Sequence, residues 1–384
     1  MELTHPRVGV LAGGGLSSWT VARALAMGGC DLIVYLADVG QRDERCLDAF
    51  LDDMATLGVP VRRVDLRAEL GTAALEVARA GAQYEGGYWN TTGTLRSVLV
   101  SCLAPVLIAD ECGVLAHGSV GGGNDDRRFE RLTASVARTL QVYSPWRDAE
   151  MLQRFDGRSS MVDFLQKYSD CPALELKREA STDGSLMGVS HESRELEDLT
   201  RPWLNTAFVI GRSPREALEE SIVVRLGFEG GRLLEVDGHS GSDQALLDRA
   251  NHLAGNAGVG LMSVVENRLN GTKCRGVYEA PGMTLLGFAH DQLARLGLSA
   301  ATMREMHASG RDLGVRIYAG GWCEEATQAV RTTIARLQES LSGIIEVELY
   351  KGNLVLRSAR CLRAEVAQQV RFTRGGHVWE EGTP

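Results

Sequence analysis

From position 7 to position 66 the chain alternates two hydrophobic rhythms. RVGVLA (7–12) is a short continuous apolar run, and SSWTVARALAMGG (17–29) spaces its apolar residues at helical intervals before closing on two glycines. DLIVYLAD (31–38) repeats the first pattern. RDERCLDAFLDDMATLG (42–58) repeats the second, and PVRRVDL (60–66) returns to a strand. This β-α-β-α-β order predicts an α/β fold, a parallel sheet with helices on both faces. TTGTLRSVLVSCLAPVLIADECG (91–113) and GVLAHGSV (113–120) extend it by a long helix and one more strand.

Beyond about residue 170 the texture changes. SIVVRLGFEGGRLLEVDG (221–238) alternates apolar and polar residues around Glu229-Gly230-Gly231 and predicts a β-hairpin. GIIEVELYKGNLVLRSA (343–359) predicts a second, turning at Lys351-Gly352-Asn353. Helical spacing lies between them, in SDQALLDRANHLAGNAG (242–258) and EEATQAVRTTIARLQESLSG (324–343). The expected organisation is an α/β domain over 1–170, an α+β domain over 171–362 and a polar, glycine-rich tail over 363–384 that frays.

Composition narrows the function. A net charge of −9 argues against a general nucleic-acid binder, since a phosphate backbone attracts surplus Lys and Arg. No signal peptide is legible at the N-terminus, and no uninterrupted apolar segment approaches the roughly 20 residues of a bilayer span. The eight cysteines are scattered without C-x-x-C pairs, so neither a disulfide framework nor a metal site is expected. Reduced thiols in a cytoplasmic protein are the reading.

In open α/β sheets ligands bind beyond the carboxyl ends of the strands, where strand order reverses. AGGGLSS (12–18), ADVGQ (37–41) and AHGSVGGGND (116–125) each follow a predicted strand, so all three are expected to line one crevice of nucleotide size. The glycine loop itself leaves several readings open. A Walker A loop is excluded, because no Lys follows the glycines. A dinucleotide fingerprint is approached by Gly13, Gly15 and Ser18, with Asp38 at the end of the second strand, but its third glycine is missing. A pyrophosphate cradle of main-chain N–H groups at a helix N-terminus fits equally. So does simple close packing of helix on strand.

ADVGQ (37–41), AHGSVGGGNDDRRFE (116–130), VVENRLNGTKCRGVYEAPG (264–282) and LYKGN (349–353) together resemble argininosuccinate synthase, in order and over nearly the whole chain. The resemblance implies an adenine-nucleotide-hydrolase-like parallel sheet plus a synthetase domain, assembled as a homotetramer. It implies a carbon–nitrogen ligase acting on small molecules, which joins citrulline to aspartate and converts ATP, with Mg²⁺, to AMP and pyrophosphate. Nucleotide contacts would fall to Ala12, Gly14, Gly15, Ser17, Ser18, Ala37, His117 and Gly118. The amino-acid substrates would be held by Tyr88, Thr92, Asn124, Asp125, Arg128, Ser181, Ser190, Glu266 and Tyr278. No single catalytic residue is assigned.

Two stretches depart from the family pattern. Its phosphate loop reads A-Y-S-G-G-L-D-T-S, whereas AGGGLSSW (12–19) is one residue shorter, with Gly13 at the first Ser, Ser17 at the Asp and Trp19 at the final Ser. Trp19 is therefore expected to fill part of the phosphate pocket. The motif H-G-A-T-G-K-G-N-D appears as HGSVGGGND, so Val120 replaces a Thr and Gly122 a Lys on the side that takes aspartate. Losing a hydroxyl and a cation subtracts what a dicarboxylate needs most. Weak aspartate binding or a different amine is expected, in a specialised ligase or, as the alternative, a non-catalytic amino-acid-binding descendant.

Overall fold

The computed structural model describes residues 7–42, 44–193 and 195–362, with two short strands at 373–374 and 377–378. In chain order come β1 (Val8–Ala12), α1 (Leu16–Met27), β2 (Leu32–Asp38), α2 (Leu47–Thr56), β3 (Val61–Asp65), α3 (Arg67–Ala80), α4 (Thr91–Ala109), β4 (Val114–His117), α5 (Asn124–Val136) and β5 (Gln141–Tyr143). These five strands form the expected parallel sheet, in the order β3-β2-β1-β4-β5. Side chains alternate between its faces. Val8, Val10, Val34 and Ala116 share a core with Trp19 of α1 and Phe50 of α2, whereas Leu11, Tyr35 and Leu115 share one with α3 and α4. The short helices α6 (Ala149–Arg154), α7 (Arg158–Leu165) and α8 (Ala173–Leu176) complete the α1 side.

After β5 the pairing becomes antiparallel. β6 (Ala180–Ser185), β7 (Gly188–Ser193), β8 (Ile222–Glu229), β9 (Arg232–Val236), β10 (His239–Ser240), α9 (Asp243–Asn256), β11 (Leu261–Asn267) and β12 (Lys273–Glu279) lead to three helices. These are α10 (Pro281–Gly297), α11 (Ala300–Tyr318) and α12 (Glu325–Leu337), followed by β13 (Gly343–Tyr350) and β14 (Asn353–Cys361). Both predicted hairpins form, as β8–β9 and β13–β14. Gly230, Gly231 and Gly352 take the positive φ their turns demand, at 57°, 72° and 84°. The hairpins join edge to edge in a sheet ordered β10-β9-β8-β13-β14, and a second sheet runs β11-β12-β7-β6. One apolar cluster continues from Leu11 and Tyr35 through α3 and α4 to Leu286 and Val347, so the parallel and antiparallel parts share a core.

Two expectations need correction. The helix expected over 42–58 begins only at Leu47, because Glu44 turns its carboxylate back to accept the Cys46 amide at 2.7 Å. And α4, despite Arg96 and its hydroxyls, does have the length and mean hydropathy (1.6) of a bilayer span. Half of it is buried, in contact with α3, α5, α11 and the β6–β7 strands, so a core position accounts for its apolar character. None of the eight cysteines is in a disulfide. The tail lies mostly outside the described residues; within it Thr373–Arg374 pairs with His377–Val378.

Candidate active site

The sheet's order reverses between β1 and β4, which run side by side with Leu11 opposite His117. The two loops that leave these strands are therefore neighbours, and a cavity of about 620 Å³ opens over them. Of the 17 positions the sequence singled out, all but Gly14 line it. Gly14 is buried behind the loop at φ 82°, and a Cβ there would meet Glu44 and Leu47. Its part is conformational: it turns the chain so that Gly15 can cap α1. Gly118 is held to glycine by proximity, since a Cβ would stand 2.5 Å from the Ser18 nitrogen.

At the end over the glycine loop, Gly15 caps α1 without a side-chain hydrogen bond, and the first turn carries no acidic residue. The first amides of a helix have no intrahelical acceptor, and its dipole leaves this end positive. The end is thus suited to an anion. Ser17 and Ser18 line the cavity, although the Ser18 hydroxyl is directed to the Gly15 carbonyl at 3.1 Å. Ala37 closes the side toward β2.

Trp19 is not in the crevice. It is wholly buried on the opposite flank of α1, edge-on to Phe50, with its Nε1 donating to Asp53 at 2.6 Å. Helical geometry explains the correction. Each residue turns about 100°, so Trp19 follows Leu16 into the core while Ser17 and Ser18 face the cavity. The indole does not line the cavity.

His117 lines the cavity but spends both ring nitrogens inside the protein. Nδ1 accepts the Ser119 amide at 3.2 Å, Nε2 lies 3.3 Å from the Ser144 hydroxyl, and the ring stacks on Phe129. Burial, against the pull of Asp126, lowers its pKa to about 4. It is a neutral strut for the loop after β4.

The other end of the cavity is walled by tyrosines. Tyr88 stacks on Tyr278 with centroids 4.1 Å apart, and Tyr84 on Tyr318 at 3.6 Å. Between them sits Glu266, which accepts from Tyr278 at 3.0 Å and from Tyr318 at 2.7 Å. Burial raises the Glu266 pKa, and the two hydroxyls oppose that rise. Strand register aligns this wall: Tyr278 on β12 stands opposite Ser190 on β7, whose hydroxyl is 3.1 Å from that of Thr92. Ser181 lies on the adjoining β6.

Asn124 and Arg128 are one turn apart on α5, as expected, and both reach Tyr318. Asn124 donates to its hydroxyl at 2.8 Å, and the Arg128 Nε to its carbonyl at 2.7 Å. Asp125 sits between Arg128 and Arg96, at 2.7 and 3.0 Å, and Arg96 extends to Asp183 at 2.6 Å. Burial pushes Asp125 up, yet the two guanidiniums hold its carboxyl below the usual range. On the expected aspartate side, Val120 is 71% exposed and Gly122 has φ 71° with open space beside it. Gly93, where the family often has Ser, is dictated by packing: a Cβ would stand 2.9 Å from the Ile317 carbonyl.

Sequence reasoning missed Tyr318, Tyr84, Arg96 and the pair Glu44–Lys177, all of which except Tyr84 line the cavity. No local signal marks them. Tyr318 ends a helix whose pattern reads as core, and only the fold brings it 52 residues back to Glu266.

A doubly covered parallel sheet with its ligand cavity at the switch point defines a nucleotide-binding α/β protein. Residues 8–169 match the model for the arginosuccinate synthase N-terminal HUP domain, and residues 180–367 that for the arginosuccinate synthase C-terminal domain. The argininosuccinate synthase of Thermotoga petrophila is 32% identical over 349 residues, covering 89% of this chain and 85% of that protein. Those of Leptospira biflexa and Syntrophus aciditrophicus are also 32% identical, over 327 and 333 residues. Each alignment covers 85% of this chain, with 80% and 81% of those relatives. Among solved structures, a predicted subunit of tRNA methyltransferase from Methanocaldococcus jannaschii aligns at 16% identity, over 44% of this chain and 91% of that one, with a TM-score of 0.28. The chain belongs to the argininosuccinate synthase family, a family of ATP-dependent carbon–nitrogen ligases.

Proposed function

We propose that this protein is an ATP-dependent, AMP-forming ligase that activates the ureido group of citrulline, or of a similar amino acid, for attack by an amine, either aspartate or another nucleophile in specialised metabolism. One observation carries the reading: a single cavity of about 620 Å³ takes in both the open N-terminus of α1 and the Glu266–tyrosine wall. That volume lies within the range of small-molecule sites. A triphosphate laid against the amides of Gly15 to Ser18 and an amino acid held at Glu266 would meet within it.

The amino acid's ammonium pairs with the Glu266 carboxylate, which Tyr278 and Tyr318 hold in place. Arg128, fixed by Asp125 and the Tyr318 carbonyl, faces the carboxylate. The ureido oxygen attacks the α-phosphorus and pyrophosphate leaves. The amine nitrogen then attacks the activated carbon, and AMP departs with the C–O bond's electrons. The chain's contribution is positioning and charge stabilisation. Among the described residues no group of three or more His, Cys, Asp or Glu is placed to hold a metal, so Mg²⁺ would arrive on the triphosphate. Eight cysteines without a disulfide suit a reducing, cytoplasmic setting.

The residues on the amine side favour a specialised ligase over arginine biosynthesis. Val120 and Gly122 supply neither hydroxyl nor cation for a second carboxylate. Pyrophosphate release, screened over ureido amino acids and a panel of amines with and without side-chain carboxylates, tests the reading. Release with a non-aspartate amine is expected. No release with any pair, alongside measurable citrulline binding, would leave a non-catalytic amino-acid binder.

A further inference from the structure

The segment after β2 does not enter α2 at once, and its delay places an acid over the glycine loop. Glu44 lies with its Cγ 3.0 Å from where a Gly14 Cβ would stand, and with Oε2 3.8 Å from the same point on Gly15. Its Oε1 is anchored by the Cys46 amide. Its Oε2 pairs at 3.0 Å with Nζ of Lys177, which stands just beyond α8 and 133 residues away in sequence. The two side chains are 10% and 18% exposed, and both line the cavity. The backbone carrying Lys177 is tied down in turn, its carbonyl accepting from the Arg158 Nε at 2.7 Å.

This arrangement puts a carboxylate beside Gly14 and Gly15, next to the positive end of α1, and pairs it with a cation from another part of the chain. Partly buried, the pair has shed water that a more highly charged partner could replace at a profit. A polyphosphate meets that description, with more charge and more acceptor oxygens than one carboxylate.

We propose that Glu44 is a resident stand-in for the polyphosphate, and that Lys177 is the cation that grips the β- and γ-phosphates once they displace it. The proposal rests on the ATP-binding reading above. Lys177 then supplies charge to a phosphate loop that has lost the side-chain oxygens of its relatives. Glu44 keeps the cradle closed to weaker anions and the lysine oriented toward it.

Calorimetric titration of the full-length protein with ATP and, separately, with AMP tests this, because AMP lacks both outer phosphates. Lys177→Met should lower ATP affinity about ten- to a hundredfold and leave AMP affinity within about twofold. Lys177→Arg should recover most of the loss. Glu44→Gln, which keeps an acceptor for Cys46, should tighten ATP several-fold, with AMP unchanged. Equal losses for ATP and AMP in Lys177→Met would make the lysine merely structural and overturn the proposal. If Lys177→Met fails to fold, unchanged or weaker ATP binding by Glu44→Gln does the same. Failure of the wild-type protein to bind either nucleotide would instead sink the functional reading itself.

Discussion

The indole Nε1 of Trp19 donates a 2.6 Å hydrogen bond to the Asp53 carboxylate, 34 residues away on α2, in a site closed to solvent. Arg23 pairs with the other oxygen of Asp53, so one carboxylate ties two turns of α1 to α2. Trp19→Ala should therefore cost about 3–5 kcal/mol of stability through the cavity it leaves. Denaturant unfolding measures that loss. ATP affinity, measured where the variant is still folded, should stay unchanged; a marked gain would return the indole to the phosphate pocket.

Two buried histidines make stability fall on mild acidification. His117 has its pKa lowered to about 4, and His290, buried beneath Phe228 near Arg79, to about 3. Both stay neutral in the folded protein, while the unfolded chain takes up protons near pH 6.5. The stability they support is complete above about pH 6.5 and falls as pH drops toward about 4, by roughly 1.4 kcal/mol per pH unit for each. Urea midpoints between pH 7 and 4.5 check the slope, and His117→Gln should flatten it by about half.

Tyr318→Phe removes the hydroxyl that donates to Glu266 and accepts from Asn124. That hydroxyl holds the Glu266 pKa down against burial, so its loss should raise the pKa further. Binding that needs ionised Glu266 would then weaken about tenfold at neutral pH, and its acid limb would move to higher pH. Citrulline titrations across pH 5 to 8 decide it. An unshifted acid limb would remove Glu266 from the ammonium site.

Val120→Thr should strengthen aspartate use. The side chain is exposed at the cavity, so a hydroxyl can be added there without repacking. One recovered hydrogen bond to a carboxylate predicts about a tenfold fall in the aspartate KM for pyrophosphate release. Gly122→Lys has room for its side chain, but φ 71° strains any non-glycine residue by about 1 kcal/mol, so its gain should be smaller. Growth of an arginine auxotroph on the wild-type gene would show that neither change is needed.

Much of the site was legible because it is built from chain-local signals. Glycines 13 to 15 after a strand, Asn124 and Arg128 one turn apart, and Glu266 and Tyr278 within one long family motif all declare themselves in short windows. Sixteen of the 17 positions singled out as site residues meet at one cavity because β1 and β4 are adjacent in the sheet and β7 pairs with β12. Trp19 was misplaced by reading it along the loop rather than around the helix.

By itself the sequence determined the strand–helix alternation through β3, the helix and strand at α4 and β4, both hairpin turns and the loops that edge the crevice, since hydrophobic period and glycine conformation act over a few residues. The tertiary structure decided which way each side chain faces and what distant partner it finds. Trp19 turned to Asp53, Tyr318 to Glu266 and Lys177 to Glu44 because helix rotation and strand pairing, not chain neighbourhood, set those distances.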